Sequence, residues 1–210
     1  MAKKENPDWF IYLDADERFD EDFKREYPKL LEQKDYDAIC LELYDFYLTP
    51  EDYDLPYNGD IVSMRNYCGP EYRNTLIMFR NIPKIYYPCG VVGEPRPFIK
   101  SRVLYSKYKV KHYGKAISVE EWERKVDFYI KRYTGHKDKW QQRKGKAVHH
   151  DTSDFGAKLI TWGQLKANPS LRGELLYEYN PGVPTLSKYS VWLVLVMLRQ
   201  IWRKIWKGFK

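Results

Sequence analysis

The sequence predicts an α/β domain, a mixed sheet flanked by helices and followed by a C-terminal amphipathic helix, on three observations. Trp9-Phe10-Ile11-Tyr12-Leu13 is a short apolar run that stops abruptly at acidic residues. Such a run suits a strand buried on both faces in the middle of a parallel sheet. Ser118-Val119-Glu120-Glu121 reads as a capping box, with Trp122, Val126, Tyr129, Ile130 and Tyr133 behind it on one helical face. Near the C-terminus, Ile201, Trp202, Ile205, Trp206 and Phe209 recur at helical spacing.

The remaining elements follow in order. Asp20 to Gln33 predicts a helix with Phe23, Tyr27, Leu30 and Leu31 on one face, interrupted by Pro28. Asp37 to Leu48 alternates apolar and polar positions as a strand does. Pro50 to Pro70, rich in Pro, Gly, Asn and Asp, predicts a loop over the site. Strand signals resume at Thr75 to Phe79 and Lys84 to Tyr87, and Gly90 to Pro97 holds two Gly and two Pro in a loop. Val103 to Tyr113 predicts a pair of short strands. Gly135 to Asp154 is polar and basic, hence exposed, and Asn180 to Pro184 breaks the chain before the final helix.

At 210 residues, 43% apolar and 31% charged, the chain has the composition of one globular domain with appendages. Aromatic residues are abundant, at 19 Tyr, 9 Phe and 7 Trp, and suit sugar-binding clefts and membrane interfaces alike. Nearly all of the +7 net charge sits between Lys188 and Lys210, which hold six basic residues and no acidic one. Confined to an apolar tail, that charge points to an anionic membrane surface and away from nucleic acid. A C-terminal helix docked on the domain is the competing account of the same pattern. The expected division is therefore a domain over 1–187 and a basic amphipathic tail over 188–210. Cys40, Cys68 and Cys89 form neither a disulfide framework nor a zinc site. With no signal peptide at the N-terminus, a cytoplasmic protein peripheral at the inner membrane face is expected. The longest apolar run, Val191 to Leu198, falls well short of the ~20 residues that span a bilayer.

Chemistry concentrates where the first strand ends. Asp14 and Asp16 place two carboxylates at a strand's C-terminal end, where open α/β sheets bind ligands. Two hard oxygen donors one residue apart can hold Mn²⁺ or Mg²⁺ against a diphosphate and neutralise charge developing there. The plainer account is a solvated acidic turn. Glu94, in a Gly-Glu-Pro loop, is the candidate general base, and equally an ordinary turn glutamate; Glu17 is a weaker alternative base. His112, as a neutral imidazole, either completes a metal shell or contacts the diphosphate, or is a partly buried histidine bonded to backbone. Arg80 can pair with a phosphate or sit at a strand end. His149, His150 and Asp151 read as solvated, because adjacent residues on one element point apart.

Trp9-Phe-Ile-Tyr-Leu-Asp-Ala-Asp-Glu-Arg-Phe19 resembles the metal-site segment of family 2 glycosyltransferases with the GT-A fold. Leu76 to Arg80 is similar to that family's strand ending in Phe-Arg, and Val91 to Pro95 to its acceptor-facing Val-His-Glu segment, here with Gly93 in the His position. Lys111-His112-Tyr113-Gly114 resembles its His-Tyr-Gly element, and Tyr179 to Pro184 a late Gly-x-x-Pro element. The resemblance implies an inverting transferase that moves a sugar from a nucleoside-diphosphate sugar to a glycan or lipid-linked acceptor. In it Asp14, Asp16 and His112 would face the metal, Asp14, Asp16 and Arg80 the nucleotide sugar, and Glu94 would be the base. Members of the family place strand–helix units for the nucleotide before the Asp-x-Asp strand, and at ~30 residues per unit none fits ahead of Trp9. The expectations are a fragment, a split enzyme completed by another chain, or a remnant serving as a noncatalytic carbohydrate- or partner-binding module.

Overall fold

A computed structural model describes residues 6–53, 55, 60–83, 85–86, 96–132 and 137–180. Its elements are β1 (Trp9–Ile11), β2 (Glu17–Phe19), α1 (Glu21–Glu32), β3 (Ala38–Tyr47), α2 (Pro50–Tyr53) and α3 (Ile61–Met64). These are followed by β4 (Tyr67–Arg80), β5 (Ile85–Tyr86), β6 (Phe98–Ile99), β7 (Val103–Lys115), α4 (Val119–Arg132) and α5 (Lys137–Gln141). The described chain ends with β8 (Ile160–Thr161), α6 (Trp162–Ala167), a 3₁₀ turn (Pro169–Leu171) and β9 (Leu175–Glu178).

The main sheet runs β1-β4-β3-β7-β2, with β8 and β9 also on β4. It is mixed: β3 pairs antiparallel with β4 and parallel with β7. All ten residues of β3 are buried, since this strand has neighbours on both edges and side chains packed on both faces. Ile39, Leu41 and Leu43 join Phe23 of α1, Ile77 and Val110 in one cluster, while Ala38 and Cys40 join Leu76, Phe79, Ile99 and Tyr179 in another. That split is the period of two expected of a strand. Tyr44 and Phe46 enter a third, aromatic cluster with Tyr72, Tyr113 and Trp162. Burying side chains of this size is worth about 1.5–3 kcal/mol each, so β3 is the strand on which the domain rests.

β1 is not the central strand that its apolar run suggests. It spans three residues, pairs antiparallel with the far end of β4, and ends the sheet among the described residues. Ile11 is 47% exposed and Leu13 38%. A five-residue apolar run has no feature that separates a central strand from an edge strand packed on one face.

Helix α1 persists through Pro28 because Phe23 is buried and Leu30 and Leu31 pack behind it. The Trp9 indole N–H also donates to Leu31 O at 3.1 Å. Where two short strands were expected between Val103 and Tyr113 there is one, β7, which receives β3 and β2 on its two edges. The segment from Pro50 to Pro70 holds α2, α3 and the start of β4 instead of a plain loop. Helix α4 begins where the capping signal put it: Glu121 N–H donates to Ser118 Oγ at 3.2 Å.

The polar stretch from Gly135 to Asp154 is also less solvated than its composition implies. Ala147 packs under α4 with Trp122 and Val126, and the His149 ring lies 4.5 Å from that of Tyr47. His149 N–H donates to Leu48 O, which attaches this segment beyond the end of β3. No helix among the described residues is long and apolar enough to cross a membrane.

Candidate functional site

Strand register assembles the site. In β7, His112 faces Glu17 of β2 on one side and Asp45 of β3 on the other. Directly opposed residues in neighbouring strands share a face. A row of alternating charge therefore crosses four strands: Glu17, His112, Asp45 and, in an ion pair with Asp45, Arg73 of β4. Asp16, in the turn before β2, joins the row because Tyr113 N–H donates to Asp16 O at 2.8 Å.

His112 is gripped at both ring nitrogens. Nδ1 lies 2.7 Å from Asp45 Oδ1 and Nε2 lies 3.4 Å from Asp16 Oδ2. Burial, the largest single influence, pushes its pKa down, but the hydrogen bonds and charges of Asp16 and Asp45 outweigh it and raise the imidazole to about 9. His112 is thus an imidazolium at neutral pH. Asp45 is almost wholly buried, which disfavours its charge; His112, Lys115 Nζ at 2.9 Å and Arg73 together still hold its carboxyl well below the usual range. Asp16 is lowered chiefly by its bond to His112, with burial opposing and Lys125 Nζ at 3.7 Å assisting.

Gly114 lets these groups meet. A Cβ at this position would lie 2.6 Å from Asp16 Oδ2 and 2.7 Å from His112 Nε2. A side chain here would have to displace the Asp16 carboxylate or the His112 ring. Lys125, reaching from α4, donates to Gly114 O at 2.9 Å and fixes the same spot from outside.

Asp14 faces another cation. The turn from Asp14 to Glu17 is closed by Glu17 N–H to Asp14 O at 3.0 Å, and Glu17 Oε2 accepts from Asp14 N–H at 3.2 Å. Arg96 Nη2 stands 2.8 Å from Glu17 Oε1 and 3.3 Å from Asp14 Oδ2, Nη1 donates to Leu76 O at 2.6 Å, and the guanidinium lies 4.8 Å from the Tyr12 ring centre. Burial raises the Glu17 carboxyl, with Arg96 opposing.

Beyond Asp45 the network continues through Lys115 to Asp154 at 2.7 Å, which Arg143 also meets at 2.7 Å. Burial disfavours the Asp154 charge, yet Lys115 and Arg143 prevail and hold its carboxyl below the ordinary value. His149, by contrast, is lowered by burial and stays neutral beside it.

The residues singled out from sequence thus divide. Asp16 and His112 are brought together, and Asp14 stands two residues away on Arg96. Arg80 is elsewhere: it is the register partner of Trp9, at the start of β1, while Asp14 lies beyond that strand's end. Its guanidinium lies 4.5 Å from the Trp9 ring centre and bonds to Gln33 O and Tyr36 O, which clips β4 to the turn after α1. Glu94, Gly93 and the tail over 188–210 lie outside the described residues. Asp45, Lys115 and Arg96 were missed; the available signals were an acid inside a largely apolar strand and an arginine between two prolines.

For a divalent ion the donor types are right, two carboxylates and an imidazole. Their arrangement is closed by the protein's own cations: among the described residues no three His, Cys, Asp or Glu side chains are gathered to hold a metal. Asp14 must leave Arg96, and His112 must lose its proton, before the three can converge.

No family model, curated protein or solved structure matches the chain. Fold and site together define an open, mixed α/β sheet in which an acidic turn leading into β2 faces a partly buried histidine of β7.

Proposed function

We propose that the chain is the metal-facing part of an inverting glycosyltransferase, which moves a sugar from a nucleoside-diphosphate sugar to a glycan or lipid-linked acceptor. The observation that carries this reading is the meeting of Asp16, just before β2, and His112 of β7 across 3.4 Å. Two residues far apart in sequence, each in a segment resembling that family, converge on one spot. Asp14, Asp16 and His112 would hold Mn²⁺ or Mg²⁺, which when bound supplies positive charge against the leaving diphosphate. Asp45 orients the imidazole from behind, as carboxylates do for metal-facing histidines. Lys125 keeps positive charge at the mouth of the site, where a phosphate would lie. Glu94 is the proposed base, and the tail over 188–210 the proposed contact with the inner face of a membrane.

Strand–helix units on another chain, or in a longer form of this one, would pair with the outer edge of β1. The test is calorimetric titration of UDP and GDP with and without Mn²⁺, on the parent and on Asp16→Ala. Metal-dependent binding that Asp16→Ala abolishes supports the reading; equal binding by both chains refutes it.

A second reading is a noncatalytic carbohydrate- or partner-binding module on the same fold. It is favoured by the neutralisation of each acidic side chain by Arg96, His112 or Lys125, an arrangement that needs no metal. Under it, nucleotide affinity is absent with or without Mn²⁺.

A further inference from the structure

Arg96 is more heavily engaged than a surface arginine. Its side chain is 14% exposed, although it follows a proline and precedes another. It makes three polar contacts, to Asp14, Glu17 and the backbone of β4, and stacks on Tyr12, the residue two before Asp14. Glu17 is 2% exposed, and a carboxylate so buried is costly without a cation beside it. The guanidinium meets that need, because its planar fork reaches two carboxylates at once and it is weakly hydrated enough to stay in a partly buried pocket.

On the reading of Asp14 and Asp16 as metal-facing, we propose that Arg96 is the resident cation of the acidic turn, holding Asp14 in place of a divalent ion and competing with one for it. The contacts fit this role. The Asp14 carboxylate turns toward Arg96 at 3.3 Å, while Asp16 turns toward His112 at 3.4 Å. The two acids of the motif therefore point to different cations and cannot grip one ion together until Arg96 withdraws. A metal entering the turn works against the Arg96 contact, so the clasp sets how much metal the site takes up. Once released, the guanidinium would be free to meet a phosphate oxygen of a ligand at the site.

The experiment is titration of the full chain with Mn²⁺ alone, followed by loss of the free-ion paramagnetic resonance signal. Arg96→Met keeps the packing on Tyr12 and deletes the charge; it should bind Mn²⁺ at least tenfold more tightly than the parent. Asp14→Asn in the Arg96→Met background should cancel the gain. Arg18→Met removes a nearby charge that bonds backbone carbonyls of the same turn, and should leave affinity within twofold. If Arg96→Met does not fold, Arg96→Lys, which keeps the charge but loses the fork, should bind several-fold more tightly than the parent. Equal affinity in parent and variant, lost in Asp16→Asn, would leave the metal site standing and overturn the role of Arg96. A gain that survives Asp14→Asn, or that Arg18→Met reproduces, would overturn it as a general charge effect. Absence of binding in every variant would overturn the metal reading and the competition together.

Discussion

Asp45 Oδ1 and His112 Nδ1 lie 2.7 Å apart between register partners of the parallel β3–β7 pairing, so a hydrogen bond joins two strands at the level of the acidic turn. Asp45 also neutralises Lys115 and Arg73. Asp45→Ala leaves these cations facing one another in a low-dielectric interior, and should cost about 3–5 kcal/mol. Asp45→Asn keeps an acceptor for Nδ1–H and should cost less. Urea unfolding midpoints of the two variants check the order; equal losses would mean that charge neutralisation, and not the bond to His112, is what counts.

His112 gives the fold a pH dependence whose sign is set by its raised value. Its pKa is about 9 in the folded chain against the ordinary 6.5, so the folded state holds the proton more tightly. The stabilisation is complete below about 6.5 and disappears as pH rises through about 9, up to about 3 kcal/mol in all. Asp16 and Asp45 are lowered, so their contribution is present above 3.8 and fails as pH falls further. Melting temperature should therefore decline between pH 6.5 and 9.5 in the parent and stay nearly level in His112→Gln. The same slope in both would place the titration on another group.

Gly114→Ala should pry the acidic turn from β7. The added methyl would sit 2.6 Å from Asp16 Oδ2 and 2.7 Å from His112 Nε2, and the His112 ring is held in place by Asp45 at 2.7 Å. Forcing such contacts apart costs about 1–3 kcal/mol. The His112 ring signals in an NMR titration should also move toward an ordinary pKa. An unchanged titration would show that the turn closes without a glycine.

The outer edge of β1 should make the chain self-associate. Its paired neighbour among the described residues is β4, and Ile11 is 47% exposed beside it. Unpaired backbone groups on such an edge template another strand. Sedimentation velocity should show a concentration-dependent species that Ile11→Lys reduces. A monomer at every concentration would count against an available edge.

The tail should bind membranes by charge and by apolar area together. Arg199, Arg203, Lys204 and Lys207 would each contribute about 1 kcal/mol near an anionic surface. Pelleting with anionic vesicles should exceed that with neutral ones, weaken with salt, and fall sharply in a chain ending at Lys188. Equal pelleting of the long and short chains would mark the tail as a docked helix.

Local chemistry was legible in the residues themselves. The period of Phe23, Leu30 and Leu31, the Ser118 cap and the alternation over 38–47 are patterns within a few residues, and the sequence alone placed them. So did the acidic turn, since Asp14 and Asp16 follow directly from the apolar run. What lay beyond it was which strand is central, and which cation each carboxylate meets. Among the described residues β1 became an edge and β3 the centre, because strand order is a property of the whole sheet. Asp45 reaches His112 over 67 positions and Arg96 reaches Asp14 over 82. Pairings so distant leave no local pattern, because register and burial, which only tertiary structure determines, decide whether a charged side chain ends in water or against another charge.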